Sequence, residues 1–401
     1  MALVFLHHVV GDLTLGKPEL VEFSEAETVE AAVSAIGNSA EGAITVWRTK
    51  PAAAAAARPP AERFVGMLNS SDVVAFLALS GADPEKAMRT PVAEVVTPNP
   101  GLLKEVDPGT RLIDALEMMK QGVRCLLVRK SIMWKGFSKR FSILYNGKWL
   151  KNIQSSSLGG VSNSDQPSSS ALPDNKFCCL SREDVVRFII GCLGALAPLP
   201  LSSIASLGAI STTYSFIEAP SPAFEAIYKI PHDPCAIAVI ETNSDGTHKI
   251  IGDISAYKLW KCDYLAAAWA MANLSAGQFV IGADDYGTTR ASVPDFPINS
   301  PTDGSGPGVS SRPRKFSSRS IGFFNNQVNQ MPVGRLRSMY RGRSAPLTCK
   351  HTSSLAAVMA QMLSHRATHV WVTDADMEDD ILVGIVSYTD ILNAVTKFPP
   401  P

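Results

Sequence analysis

An α/β protein assembled from four copies of one small unit is what this sequence predicts, and three observations predict it. The order amphipathic helix, strand, strand, helix recurs along the 401 residues. Each second strand runs into its helix through G-x-x-S/T-x-x-D or a degraded form of it. Hydrophobic residues make up 46% of the chain and charged residues 18%, which supplies a buried core and is too apolar for a disordered chain.

The first copy opens at Thr28, followed by the helical stripe Val29, Ala32, Val33 and Ile36, the strand AITVW and the run RFVGMLNSSDVVAFLAL. An alanine-proline insert, PAAAAAARPP, separates its strands. The second copy carries Leu112, Ala115, Leu116 and Met119, then RCLLV. Its partner strand and helix, FCCLSREDVVRFII, arrive only after an excursion from Ser131 to Lys176. That excursion is basic among aromatics at first and Ser-rich from Ser155 to Ser170, too polar to build a core, so it reads as a surface insert.

The third copy is the weakest, with a stripe of only Phe224, Ile227 and Tyr228 before Pro231, then CAIAVIE, the turn NSDG and KIIGDISAYKLW. In the fourth, Thr352-Ser353-Ser354 supplies N-capping side chains ahead of Leu355, Val358, Met359 and Met362. THVWV, ILVGIVS and YTDILNAV complete it. The units are expected at residues 11–80, 95–195 (insert 131–176), 205–262 and 346–398, with a connecting helix and linker at 263–345. The apolar stretch from Phe188 to Ile210 is broken by Pro198, Pro200 and three glycines, so it reads as helix end and linker, with no membrane span expected.

Thirty-seven basic and thirty-seven acidic side chains cancel, so no global field draws in nucleic acid or an anionic membrane, and neither is expected as a partner. The local exception lies between Ser305 and Ala345, where Arg312, Arg314, Lys315, Arg319, Arg335, Arg337, Arg341 and Arg343 occur with no acidic residue. A solvated linker, a phosphorylated segment and a dock for an acidic partner all fit that composition. Seven scattered cysteines without C-x-x-C spacing indicate reduced thiols and an intracellular protein. The apolar start MALVFLHHVVGD lacks a basic leader, so no secretory signal is expected. No histidine cluster suggests a metal, and the G-x-S-x-G, P-loop and HExxH patterns are absent, so no enzyme is expected.

Gly384-Ile385-Val386-Ser387-Tyr388-Thr389-Asp390, after a hydrophobic strand and before a helix, resembles the signature of cystathionine beta-synthase (CBS) domains. The order of the four copies, with MALVFLHHVVGDLTLGKPELVEF and RFVGMLNSSDVVAFLA, resembles the plant proteins built from four CBS domains without a catalytic domain. More distantly it is similar to the nucleotide-sensing gamma subunit of AMP-activated kinases. The resemblance implies tandem CBS pairs, two α/β discs (Bateman modules) stacked within one chain as a monomer or homodimer. It also implies AMP, ADP or ATP as a regulatory adenosyl ligand, and a protein partner such as a protein kinase. A ligand-free scaffold for protein binding remains the alternative, and cytoplasm, with a nuclear share, is the expected location.

The resemblance also nominates residues. A hydroxyl three positions after the glycine can donate to phosphate or ribose, and the following Asp can accept from ribose hydroxyls. These are Ser387 and Asp390, joined by Thr368 and His369 at the entry to the preceding strand. The second copy offers Ser181 and Asp184 with Arg124, but has Cys178 in place of the glycine. The first keeps Gly66 and Asp72, with Asn69 for the hydroxyl. The third keeps Gly252 and Ser255 but has Lys258 where the Asp belongs. The fourth copy is therefore the expected owner of a ligand cleft, although an Asp opening a helix can also serve only as its cap.

Overall fold

The structure is a computed structural model that describes residues 4–49, 60–81, 83–130, 144–145, 148–149, 176–281, 345–374 and 380–397. Most of the alanine-proline insert, nearly all of the Ser-rich excursion and the Arg-rich tract lie outside these residues.

Four three-stranded sheets follow one plan. The first holds β1 (Phe23–Ser24), β2 (Ala43–Trp47) and β3 (Phe64–Asn69), and the second β4 (Leu103–Val106), β5 (Cys125–Arg129) and, past the hairpin β6 (Leu144–Tyr145) and β7 (Lys148–Trp149), β8 (Phe177–Ser181). The third holds β9 (Phe216–Glu218), β10 (Ala236–Thr242) and β11 (His248–Ser255), and the fourth β12 (Thr348–Lys350), β13 (His369–Thr373) and β14 (Leu382–Ser387). In every sheet the leading strand is parallel to the middle one, which pairs antiparallel with the last. Those leading strands were not part of the predicted helix-strand-strand-helix unit. At two to four residues they are too short to display an alternating pattern.

The predicted stripes face inward. Leu112, Ala115, Leu116 and Met119 are fully buried, as are Leu355, Val358, Met359 and Met362. The third copy differs: Ala223 and Ala226 are buried while Tyr228 is 71% exposed. Its helix is a short 3-10 turn continued by Ala226–Lys229, so the stripe read from ideal α periodicity is rotated away from the core. The helices Tyr264–Asn273 and Ala276–Ile281 also belong to this unit's core, beyond residue 262, because Asp263 caps a new helix after the short Ala256–Leu259 turn.

Two kinds of apolar interface hold the molecule. Sheets meet within each half: Trp47, Phe64, Leu103, Leu127 and Phe177 join the first and second units, and Ala238, Ile240, Trp371 and Ile385 the third and fourth. Helices meet between the halves. One core combines Val73, Val74 and Leu77 of the first unit with Ala266, Ala267 and Met271 of the third; the other combines Leu116, Val186 and Ile189 of the second with Val358, Met362 and Leu392 of the fourth. The alanines of the Tyr264–Asn273 helix let it lie close against the Ser70–Leu79 helix. Phe5 and Val10, in the short helices Val4–His7 and Val10–Thr14, are buried in the core of the second and fourth units. The chain start thus packs on the second unit rather than the first.

Candidate functional site

Three of the four motifs form the same local device. Asn69 caps the Ser70–Leu79 helix, its Oδ1 accepting from the backbone N–H of Ser71 at 2.7 Å and of Asp72 at 3.3 Å, while Asp72 Oδ2 accepts from Asn69 N–H at 3.0 Å. Ser181 and Asp184 repeat this on the Arg182–Gly191 helix, and Ser387 and Asp390 on the Tyr388–Thr396 helix. In the last copy Ser387 also donates its hydroxyl to Asp390 Oδ2 at 2.6 Å. These reciprocal bonds satisfy N–H groups that a helix start leaves without partners. They consume one oxygen of each carboxylate and leave capacity on the other.

A cavity of about 250 Å³ opens at the first of these helix starts, just below the range of small-molecule clefts, roughly 300–1,000 Å³. Asn69 and Asp72 line it from the first unit, Arg124 from the second, and His232 and Cys235 from the third. Met67, Ile227, Ile254 and Met271 supply apolar wall, and the segment Thr97–Asn99 crosses its edge. Burial pushes the Asp72 carboxyl up, opposed by the bond from Asn69 and by the charges of Arg124 and His232. Burial and the neighbouring Asp72 push the Cys235 thiol up to about 12, which keeps it protonated and unreactive. Arg124 is anchored across the halves by donating to the His232 carbonyl.

The other three helix starts have different surroundings. Asp184 is ion-paired with Lys17, and Arg187 stands 3.7 Å away. In the third unit Lys258, itself partly buried, reaches Asp253 at 2.7 Å, with His369 Nε2 3.7 Å from the same carboxylate and the Asp253 and His369 side chains fully buried. Burial would raise the Asp253 carboxyl, but Lys258 and His369 outweigh it and hold it at about 2. Beside Asp390, Arg182 donates to Asp233 at 2.5 Å and to Thr389 at 3.2 Å, and its Nη2 is buried without a hydrogen-bond partner. Burial first, and Asp233 in addition, push the Asp390 carboxyl up against its bonds from Ser387.

With this geometry the chain can be set beside known proteins. The CBS domain model matches residues 341–397. Over its full length the chain is 62% identical to CBS domain-containing protein CBSX6 of Arabidopsis thaliana, 96% of which it covers. The chain belongs to the CBS domain-containing proteins. Another CBS protein of that plant, CBSX5, is 27% identical over 99% of both sequences. Among solved structures, protein MJ1225 of Methanocaldococcus jannaschii, described as a proposed archaeal homologue of g-AMPK, matches with a TM-score of 0.50 at 11% identity. That match covers 96% of this chain and 99% of the other, and it is a likeness of fold.

Among the residues nominated from the CBS signature, the structure gathers Asp72 with Arg124, Ser181 with Asp184, and Ser387 with Asp390. Arg124 was grouped with Ser181 and Asp184; it instead lines the first unit's cavity, because the entry to β5 faces the start of the Ser70–Leu79 helix across the paired sheets. His369 was expected at a ligand. Its backbone pairs with Ser387, but its ring is fully buried and turned to Asp253, Tyr257 and Trp371. Thr368 donates to the Pro234 carbonyl at 3.0 Å. Ser387 and Asp390 do not line the cavity of the first unit.

Sequence reasoning missed His232, Asp233, Arg182 and Lys17, which come from other units than the one they serve. Lys258 alone left a signal, as the residue standing where the signature has Asp. No group of three His, Cys, Asp or Glu side chains arranged to hold a metal is found among the described residues, and no described helix is long and apolar enough to cross a membrane.

Proposed function

We propose that this CBS protein is a non-catalytic regulator that takes an adenine nucleotide, AMP, ADP or ATP, in the cleft of its first unit and transmits occupancy to a protein partner. The observation that carries the reading is the convergence of Asp72, Arg124 and His232, from three units, on one cavity. An acceptor for ribose hydroxyls, a guanidinium for phosphate and an apolar wall for a base are the complementary chemistry. Because the walls come from both halves, a ligand held there stabilises one relative placement of the halves, which is how binding could alter a surface elsewhere. A protein kinase is the partner class that the family suggests, and the cytoplasm, with a nuclear share, the location.

A ligand-free scaffold is the second reading, favoured by the capping role of all three carboxylates and by the lysines beside Asp184 and Asp253. Calorimetric titration with AMP, ADP and ATP separates the two. Wild-type binding weakened at least tenfold in Asp72→Asn is expected. Binding untouched by Asp72→Asn but lost in Asp390→Ala would move the site to the fourth unit. Flat traces from folded protein would favour the scaffold.

A further inference from the structure

The four helix starts are equivalent in the fold, yet they differ in what meets the acidic group. Among the described residues, the ion pairs at these helix starts fall on Asp184 and on Asp253, and none falls on Asp72 or Asp390. In the second unit the partner is Lys17, from far outside the motif. The Lys17 and Asp184 side chains are each only 10% exposed, and Asp184 Oδ2, which takes the ammonium, is also held by the Ser181 N–H and hydroxyl, each at 2.9 Å.

The segment carrying Lys17 is fastened in place. Lys17 N–H donates to the Thr14 carbonyl at 3.1 Å after Gly16 takes a left-handed turn at φ 76°. The Lys17 carbonyl accepts from Lys130 Nζ at 2.5 Å, and Leu20 N–H bonds the Phe177 carbonyl of β8 at 2.8 Å. Glu19 faces Lys176 at 3.4 Å. The ammonium is thereby delivered to a place where Asp184 and the adjacent Glu183 also face Arg187.

We propose that Lys17 is the resident occupant of the second unit's helix start, a built-in ligand whose ammonium takes the Asp184 oxygen that a free ligand would need. Asp184 and Glu183 repel a phosphate, and the cations beside them, Lys17 and Arg187, are already paired with these carboxylates. The second cleft is therefore closed to free nucleotide by the chain's own N-terminal segment. Lys258 closes the third by a different route, from the position of the motif's missing Asp. This inference stands independently of whether the first cleft takes a nucleotide.

Replacing Lys17 and returning an amine in solution tests it. Lys17→Ala is expected to melt several degrees below wild type, and tens of millimolar n-butylammonium chloride is expected to raise its midpoint by about 2 °C relative to sodium chloride at equal ionic strength. The same additive should leave wild type and the Lys17→Ala/Asp184→Asn double variant unmoved. Equal shifts in wild type and Lys17→Ala would overturn the proposal. Should Lys17→Ala fail to fold, acetylation of the native protein, read by mass spectrometry, still decides. Lys17 is expected to react at least tenfold more slowly than exposed Lys104, and equal rates would refute the occupancy.

Discussion

At the residue scale, the contrast between Asp72 and Asp253 shows how one neighbour decides what a buried carboxylate does. Both are desolvated. Asp72, with no ion-paired cation among the described residues, has its carboxyl pushed up, whereas Asp253, with Lys258 at 2.7 Å, is held at about 2. A group depressed below its ordinary value of 3.8 contributes stability that is present above that value and is lost as pH falls toward 2. In Lys258→Met burial again dominates, the carboxyl rises, and the slope reverses. The variant should lose roughly 3 kcal/mol at pH 7 and recover part of it as pH falls toward 5. Urea unfolding of both proteins at pH 7, 6 and 5 checks this; parallel pH dependences would show that Lys258 does not set the state of Asp253.

At the element scale, the glycine of the signature is explained by a crossing segment. A Cβ on Gly66 would lie 2.7 Å from the Thr97 carbonyl, and one on Gly384 would lie 2.5 Å from Ile210 and 2.7 Å from the Ser211 carbonyl. In each such sheet the glycine pairs with a valine, Val46, Val239 or Val372, and the ladder register shifts immediately beyond that valine. Cys178 takes the glycine's place opposite Val128, and there the register runs on unbroken to Arg129. Gly384→Ala should therefore cost about 1–3 kcal/mol through the forced shift of Ser211. Cys178→Gly should cost under about 1 kcal/mol, from strand entropy and lost packing. Midpoints of chemical unfolding give both, and equal costs would contradict the crossing-segment account. The motif was visible in the sequence, but the segment that demands the glycine was not, because it is contributed from outside the strand.

At the scale of the whole molecule, sheets pair units within a half while helices pair units between halves. The first unit shares a core with the third and the second with the fourth, and Trp260 of the third unit donates its indole N–H to the Ile36 carbonyl of the first at 3.0 Å. Neither half can expose its helices without opening both shared cores, so unfolding should be one cooperative event. Coincident transitions by tryptophan fluorescence and far-UV circular dichroism are expected in urea. Two separated transitions would mean that the halves are independent. The same arrangement buries within one chain the helix surfaces that would otherwise invite a second copy.

The sequence alone determined the four-fold repeat, the strands of alternating or continuous apolar residues, the helix stripes of the first, second and fourth copies, and the capping pairs Ser181–Asp184 and Ser387–Asp390. All of these arise from interactions between residues a few positions apart, where period and spacing are written directly in the chain. Only the tertiary structure decided that Arg124 lines the cavity beside Asp72, that His369 faces Asp253, and that Lys17 pairs with Asp184. It also placed a cavity at the helix start of the first unit, where the signature is degraded to Asn69 and Asp72. Desolvation and Coulomb attraction act between groups brought close by packing, whatever their separation in sequence, and repeats this alike differ in chemistry only through such neighbours.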